Sequence, residues 1–363
     1  MALNIDRAHR SYGVIDARYV AKYQRRHVFY CNFLPLLGSL LAVGLAIYYP
    51  PHLGEWLSLG VMWLFIGIGV TVGYHRYFTH QAFETGLCVR LILAILGSMS
   101  ALGPLVAWVS IHRRHHQLSD RDGDPHSPNL NGPGFRGRLK GIWYAQFGWM
   151  LSHPMPNPAR YARDILRDRH LKWVNRTYYY WVLLGVLLPG IVLGLVRRDW
   201  YGFASGCLWG GFLRISLGSQ FVGSINSLCH SIGSRPFQTR EQSTNNAVLA
   251  VPTWGEAWHN NHHAFPKSAR FGFGWWQLDI GYVIIGTLRL LGLAWNVWTP
   301  SDKQIACAKS SAAPILKDDS ESPILSSSPA LCRSAVHPVE PPWQVGRTST
   351  TALLPNPNGP SRK

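Results

Sequence analysis

Sixteen histidines occur in the 363 residues, and eight of them fall in three tight groups: His75 and His80; His112, His115 and His116; His259, His262 and His263. Their spacings are HX4H, HX2HH and HX2HH. A solvated histidine tract would not repeat HX2HH about 145 residues apart, each time beside an apolar segment. Positions i, i+3 and i+4 of a helix share a face, so each HX2HH group can aim three imidazoles into one space. His75 and His80 lie five apart, about 140° around an ideal helix. That suits a span end that unwinds, or ligands given to two different metals. Eight imidazoles exceed what one ion needs. Structural zinc takes about four ligands, usually with cysteine, and magnesium, calcium and manganese prefer oxygen donors. A nearly pure imidazole set therefore points to two ions drawn from iron, copper, zinc and nickel. The six cysteines are dispersed with no CxxC pair, so no thiolate metal site is expected. The isolated His9, His27, His52, His153, His170 and His337 are read as non-ligands.

The elements that must position these groups are hydrophobic. Val28 to Tyr49 gives 22 residues without a formal charge, and Leu57 to Tyr74 gives 18 more, ending directly at His75. Each is long enough to cross a hydrocarbon layer as a helix. Residues 178–196 and 200–228 supply a third and a fourth span, the last interrupted by Arg214. Residues 91–111 are also apolar, but they lie between two histidine groups that must meet, and one crossing would part them. This segment is expected to be interfacial or re-entrant, broken by Gly97, Gly103 and Pro104. Residues 280–295 read as an amphipathic helix lying at the interface. Four crossings return the chain to its starting side. Twelve Lys or Arg residues in 112–176 and six before residue 28 place that side in the cytoplasm, whereas Arg197 and Arg198 in the opposite loop disagree.

Composition agrees. Charged residues make up 15%, below the roughly 25% of soluble domains, which argues against an ordinary soluble protein. The formal charge of +17 suggests an anionic neighbour. Charge alone does not choose among headgroups, nucleic acid and a phosphorylated carrier; the apolar runs favour lipid, and no nucleic-acid partner is expected. The expected fold is an all-α integral membrane protein, four spans under a cytoplasmic helical cap that carries a histidine-rich di-metal site. Its divisions are a basic segment 1–27, a membrane domain 28–298 and a disordered Ser/Pro-rich tail 299–363. The active site and both termini are expected in the cytoplasm.

The runs GYHRYFTH (73–80), HRRHHQLSDRDGDPHSP (112–128), NSLCH (226–230) and GEAWHNNHHAFP (255–266) resemble the membrane fatty acid desaturases, especially the bacterial delta-9 type related to stearoyl-CoA desaturase. The similarity covers roughly residues 28–298. It implies that the eight box histidines bind two ferrous ions, that His230 is a ninth ligand and that Asn226 holds an iron through water. It implies dioxygen as co-substrate and removal of two vicinal hydrogens to leave a cis double bond. An unactivated methylene is beyond any side-chain base, so an oxidising cofactor is required.

Acidic residues Asp120, Asp122, Asp124 and Glu256 could orient ring N–H groups. Arg113, Arg114, Arg121, Lys267 and Arg270 are candidates for the phosphate of coenzyme A or a lipid headgroup. The implied substrate is a fatty acyl-CoA or acyl-lipid. Electrons are expected from a separate donor of ferredoxin, rubredoxin or cytochrome b5 type with its reductase. An acyl or alkane hydroxylase or ketolase shares the framework, and a non-enzymatic metal transporter or sensor is the rival from another class. Transport would need polar groups within the spans.

Overall fold

The computed structural model describes residues 13–15 and 18–310. Expectations for residues 1–12 and 311–363, His9 and His337 among them, lie outside the described residues. Three described helices are long and apolar enough to cross a membrane: α1, Val20–Ala46; α2, Leu53–Thr79; and, further on, Tyr178–Arg197. At 27 residues the first two reach about 40 Å, against a hydrocarbon core of about 30 Å. Their outward faces carry exposed aliphatics such as Leu40 at 61% and Val43 at 56%, a surface suited to lipid rather than water.

The segment between the first two histidine groups is two helices, α3 (Leu87–Met99) and α4 (Leu105–Leu118). Each reaches about 20 Å, too short to cross. The break lies where Ala101 and Gly103 take positive φ and Pro104 opens the next helix. Gly97, expected to break the helix, sits inside α3 and serves packing instead. A Cβ there would lie 2.2 Å from the Tyr74 ring, and one on Gly69 would lie 2.3 Å from the Gly97 nitrogen. The backbones of α2 and α3 therefore cross in near contact.

A further helix, α5 (Gly134–Trp143), continues through a wide π-type turn, Tyr144–Gly148, into Trp149–Ser152. Its exposed Phe135, Leu139, Trp143, Phe147 and Leu151 recur every four residues as an apolar stripe. Three short helices, Pro158–Tyr161, Arg163–Arg167 and Arg169–Arg176, lead into α6, Tyr178–Arg197. The expected fourth span is an unbroken helical run, α7, comprising Trp200–Gly206, Cys207–Leu213 and Arg214–Ser227. It falls outside the three strongly apolar helices. After a long loop come α8 (His259–Ala264), α9 (Ile280–Leu290) and α10 (Asp302–Ser310). The last corrects the reading of a disordered tail from residue 299, because its first described turns are helical. Two-residue antiparallel ladders pair Val14–Ile15 with Met155–Pro156 and Glu84–Thr85 with Ala294–Trp295.

Two charged residues inside the apolar bundle explain its joints. Pro189 within α6 has no N–H, so the Gly185 carbonyl loses its helical donor. Buried Arg214 supplies one, donating to Gly185 O at 2.6 Å, to Met99 O at the end of α3 at 2.7 Å and to Gly210 O at 3.0 Å. The Gly103 N–H in the break donates to the Tyr178 hydroxyl at 3.0 Å. At the other end of the bundle, buried Glu55 accepts from the His52 N–H, from Arg197 at 2.7 Å and from Ser205 at 2.8 Å. Arg197, the residue that opposed the charge rule, is thus paired within the fold.

Candidate metal centre

All nine expected histidine ligands converge, in two groups. His75, His80, His112, His116 and His262 form one; His115, His230, His259 and His263 form the other, with ligand nitrogens in each within 4.8 Å of one another. The helix period explains the division. Residues i and i+4 are about 40° apart around a helix, whereas i+3 points about 60° to the other side. His112 and His116 accordingly serve the five-histidine group and His115 the four-histidine group. In the third box the pattern inverts, His259 and His263 going to the four and His262 to the five.

The first box obeys a different geometry from either expected one. Gly67–Thr79 is π-helical, and the His80 N–H bonds the His75 carbonyl five residues back at 3.1 Å. An i→i+5 ladder stacks i and i+5 on one face. The His75 and His80 rings are 4.8 Å apart and belong to the same group. The helix end does not unwind but widens, and the pair is not divided between the two histidine groups.

The donor set fits metal ions. His75 Nε2 and His262 Nε2 lie 3.1 Å apart, His112 Nε2 and His116 Nε2 3.0 Å, His230 Nε2 and His259 Nε2 3.1 Å, and His259 Nε2 and His263 Nε2 3.1 Å. Two nitrogens each about 2.1 Å from one ion at a right angle would be about 3.0 Å apart. His80 Nε2 and His115 Nε2 are buried with no hydrogen-bond partner among the described residues, which a metal would satisfy. Burial, reinforced by neighbouring imidazoles, pushes His80, His112, His116, His259, His262 and His263 well below the ordinary histidine value. Neutral imidazole is the ligating form.

Carboxylates orient the outer ring nitrogens. His115 Nδ1 donates to Asp124 at 3.0 Å, His230 Nδ1 to Asp120 at 3.0 Å, and His75 Nδ1 to Glu256. Burial opposes ionisation of Asp124, but His115 outweighs it and holds the carboxyl below its usual range, and the carboxylate in turn raises His115 against its burial, opposite to the six lowered imidazoles. Asp122, the remaining acidic candidate, is exposed in the turn. Glu241, 3.5 Å from His263 Nδ1, carried no signal in the sequence, because its loop reaches the centre only when the Gln242 N–H docks on Asp120 at 2.7 Å. His126, outside the three boxes, is also buried and packs its ring 4.4 Å from His115. Its place ten residues past His116 in the DPHSP run was the available signal. His27, His52, His153 and His170 stay outside both ligand groups.

An apolar cavity of about 380 Å³ runs up to this centre. His75, His112 and His259 line one part, and Trp63, Ile66, Gly218 and Phe221 of α2 and α7 line another. The turn at residues 101–104 forms a wall, and Asn226 lines the cavity as well. Arg113, expected at a headgroup, is fully buried. It donates to the carbonyls of Phe78 and Tyr161 at 2.7 and 2.8 Å and pairs with Asp164 at 2.8 Å, tying the second box to the end of the first. Arg114 is likewise buried against the carbonyls of Gly123 and Gly13. Both hold structure rather than face solvent. Arg270 binds the Gly272 carbonyl of its own loop, Lys267 is half-buried and Arg121 is exposed.

Three helices apolar enough to cross a membrane, a buried set of histidine nitrogens that could hold metal ions and an apolar cavity ending on it suit an enzyme that acts on hydrocarbon chains. The family model described as fatty acid desaturase matches residues 54–287. The chain is 45% identical over 297 residues to a hex-5-enoyl-[acyl-carrier protein] acetylenase of Moorena producens (strain JHB), covering 81% of this chain and 92% of that protein. It is 34% identical to an sn-1 stearoyl-lipid 9-desaturase of Anabaena variabilis, covering 78% and 99%. It is 33% identical to an icosanoyl-CoA 5-desaturase of Limnanthes douglasii, covering 78% and 76%. The chain belongs to the fatty acid desaturase family and is an enzyme of that kind.

Proposed function

We propose that this protein is an oxygen-dependent fatty acyl desaturase that introduces a cis double bond, at the delta-9 position of a saturated acyl chain, at a di-iron centre. The observation that carries the reading is the apolar cavity lined by ligand histidines of both groups, His75 and His112 from the five and His259 from the four. Two irons, when bound by the nine histidines with Asn226 through water, supply the dioxygen chemistry that removes hydrogen from an unactivated methylene. The protein contributes position and exclusion. Trp108, stacked at 5.0 Å on His112 and lining the cavity, and the wall at residues 101–104 hold the chain against the centre and keep water from it. Asp120, Asp124, Glu241 and Glu256 fix imidazole orientation.

The helical run α7 serves as the fourth span, with the centre and both termini on the cytoplasmic side. We take coenzyme A as the acyl carrier, with Arg121 and Lys267 toward its phosphates, and a separate ferredoxin, rubredoxin or cytochrome b5 type protein as electron donor. Fatty acid profiling of an expressing host tests the reaction: a new monounsaturated acid appears with the wild type and not with His262→Ala. A hydroxylated product without alkene would replace this reading by the hydroxylase one. Stearoyl chains offered to the reconstituted enzyme on coenzyme A, on a glycerolipid and on acyl carrier protein separate the carriers; conversion confined to either of the last two overturns the coenzyme A assignment.

A further inference from the structure

The two ligand groups differ in what stands behind them. In the four-histidine group, His115, His230 and His263 each face a carboxylate, from Asp124, Asp120 and Glu241. Among the described residues no guanidinium pairs with any of these three carboxylates; Arg235 touches Glu241 only at its backbone oxygen, and Arg114 reaches the Gly123 carbonyl. In the five-histidine group, among the described residues, only His75 has a carboxylate, Glu256, and buried Arg76 shares it at 3.3 Å. Arg76 is bound in turn to Asp279 at 2.8 Å and lies over the Phe271 ring at 4.0 Å. Among the described residues the outer nitrogen of His262 has no hydrogen-bond partner, its ring lying 4.4 Å from that of Phe271. Arg113, beside His80, is balanced by Asp164.

A carboxylate accepting a ligand's outer N–H raises that imidazole's basicity and its donation to the metal. Stronger donation and a negative surround stabilise the higher oxidation state; a guanidinium works against both. We infer that the two metal positions are electronically inequivalent, the four-histidine position being the more electron-rich, so that its iron has the lower reduction potential and gives up the first electron. Asp124, Asp120 and Glu241 are then positioning residues that set this order, and Arg76 with Glu256 sets the opposite bias at the other position. The inference rests on the di-iron reading.

The test is anaerobic titration of the purified diferrous holoenzyme, enriched in iron-57, with ferricyanide, each equivalent taking one electron from iron and becoming ferrocyanide. Mössbauer spectra are recorded at each step. The wild type is expected to pass through a state with one ferric and one ferrous ion per chain. Asp124→Asn and Glu241→Gln should change the spectrum of the ferric component and raise the potential of the first oxidation. Glu256→Gln should change the ferrous component. A ferric component that responds to Glu256→Gln instead, or two ions oxidised together in equal response to all three variants, overturns the inference. Iron content separates the levels of failure. Fewer than two irons per wild-type chain sinks the di-iron reading, whereas two irons of equal potential sink only the asymmetry. Should Asp124→Asn lose its iron, Glu241→Gln, at the longer 3.5 Å contact, still reports on the same position.

Discussion

At the scale of single residues, the centre depends on side chains whose neighbours leave them little alternative. His262 is buried, and its Nε2 lies 3.0 Å from that of His116 and 3.1 Å from that of His75. Alanine there is expected to lower alkene formation by at least ~100-fold while the protein stays in the membrane; ligand loss should exceed the 10–100-fold typical of an outer partner. Fatty acid profiles and immunoblots of the membrane fraction check both. Gly218 lines the cavity, and a Cβ there would lie 2.9 Å from Ile66 Cδ1. Gly218→Leu should fill that part and shift products toward shorter chains, read as the ratio of C16 to C18 monoenes. Asp164 carries a third kind of load. Burial disfavours its charge, but the Arg113 hydrogen bond outweighs this and holds the carboxyl below its ordinary 3.8. That contribution to stability is complete above 3.8 and lost as pH falls through the depressed value. Asp164→Asn, leaving Arg113 buried but still on its carbonyls, should cost about 1 kcal/mol, because the half-exposed carboxylate is screened by solvent, and lower the melting temperature at pH 7. The difference from wild type should shrink toward pH 3.

At the scale of elements, the break between α3 and α4 matters most, because it lets two histidine boxes separated by an apolar segment share one centre. Gly103 at positive φ and Pro104 provide the break, and Arg214 and Tyr178 anchor it from α7 and α6. Arg214→Met removes the donors to Met99 O and Gly185 O and leaves both carbonyls without this partner. We expect loss of thermal stability in detergent and a broadened chain-length profile, since residues 101–104 wall the cavity. Arg214→Lys should restore part of each, a lysine offering fewer directed donors than the guanidinium fork. An unchanged melting curve for Arg214→Met would refute the anchoring role. The breaking residues Gly103 and Pro104 were legible from sequence. Gly97 was misread, because its value lies in the close crossing with Gly69, which no local pattern reveals.

For the whole molecule, the decisive quantity is which surface faces which side. The proposed arrangement puts the turn at Arg121 and the loop at Asp199 on opposite faces of the membrane. With native cysteines replaced, Arg121→Cys should react with an impermeant maleimide only in inverted vesicles, and Asp199→Cys only in right-side-out vesicles. Labelling of both from one side would remove α7 from the list of spans. The same geometry gives α5 and the exposed Trp275 and Trp276 an interfacial position.

The sequence by itself determined the eight clustered histidine positions and the apolar helices, because residue type, spacing and hydrophobic length are local properties. It could not divide those histidines between the two groups they form. That depended on the π-helical ladder that brings His75 over His80, and on two helices that send the i and i+4 histidines of the same HX2HH pattern to different groups. Nor could it supply Glu241, or show that Arg113 and Arg114 serve packing. Those roles arise where residues distant along the chain meet in a buried, low-dielectric interior, and only the tertiary structure decides which ones do.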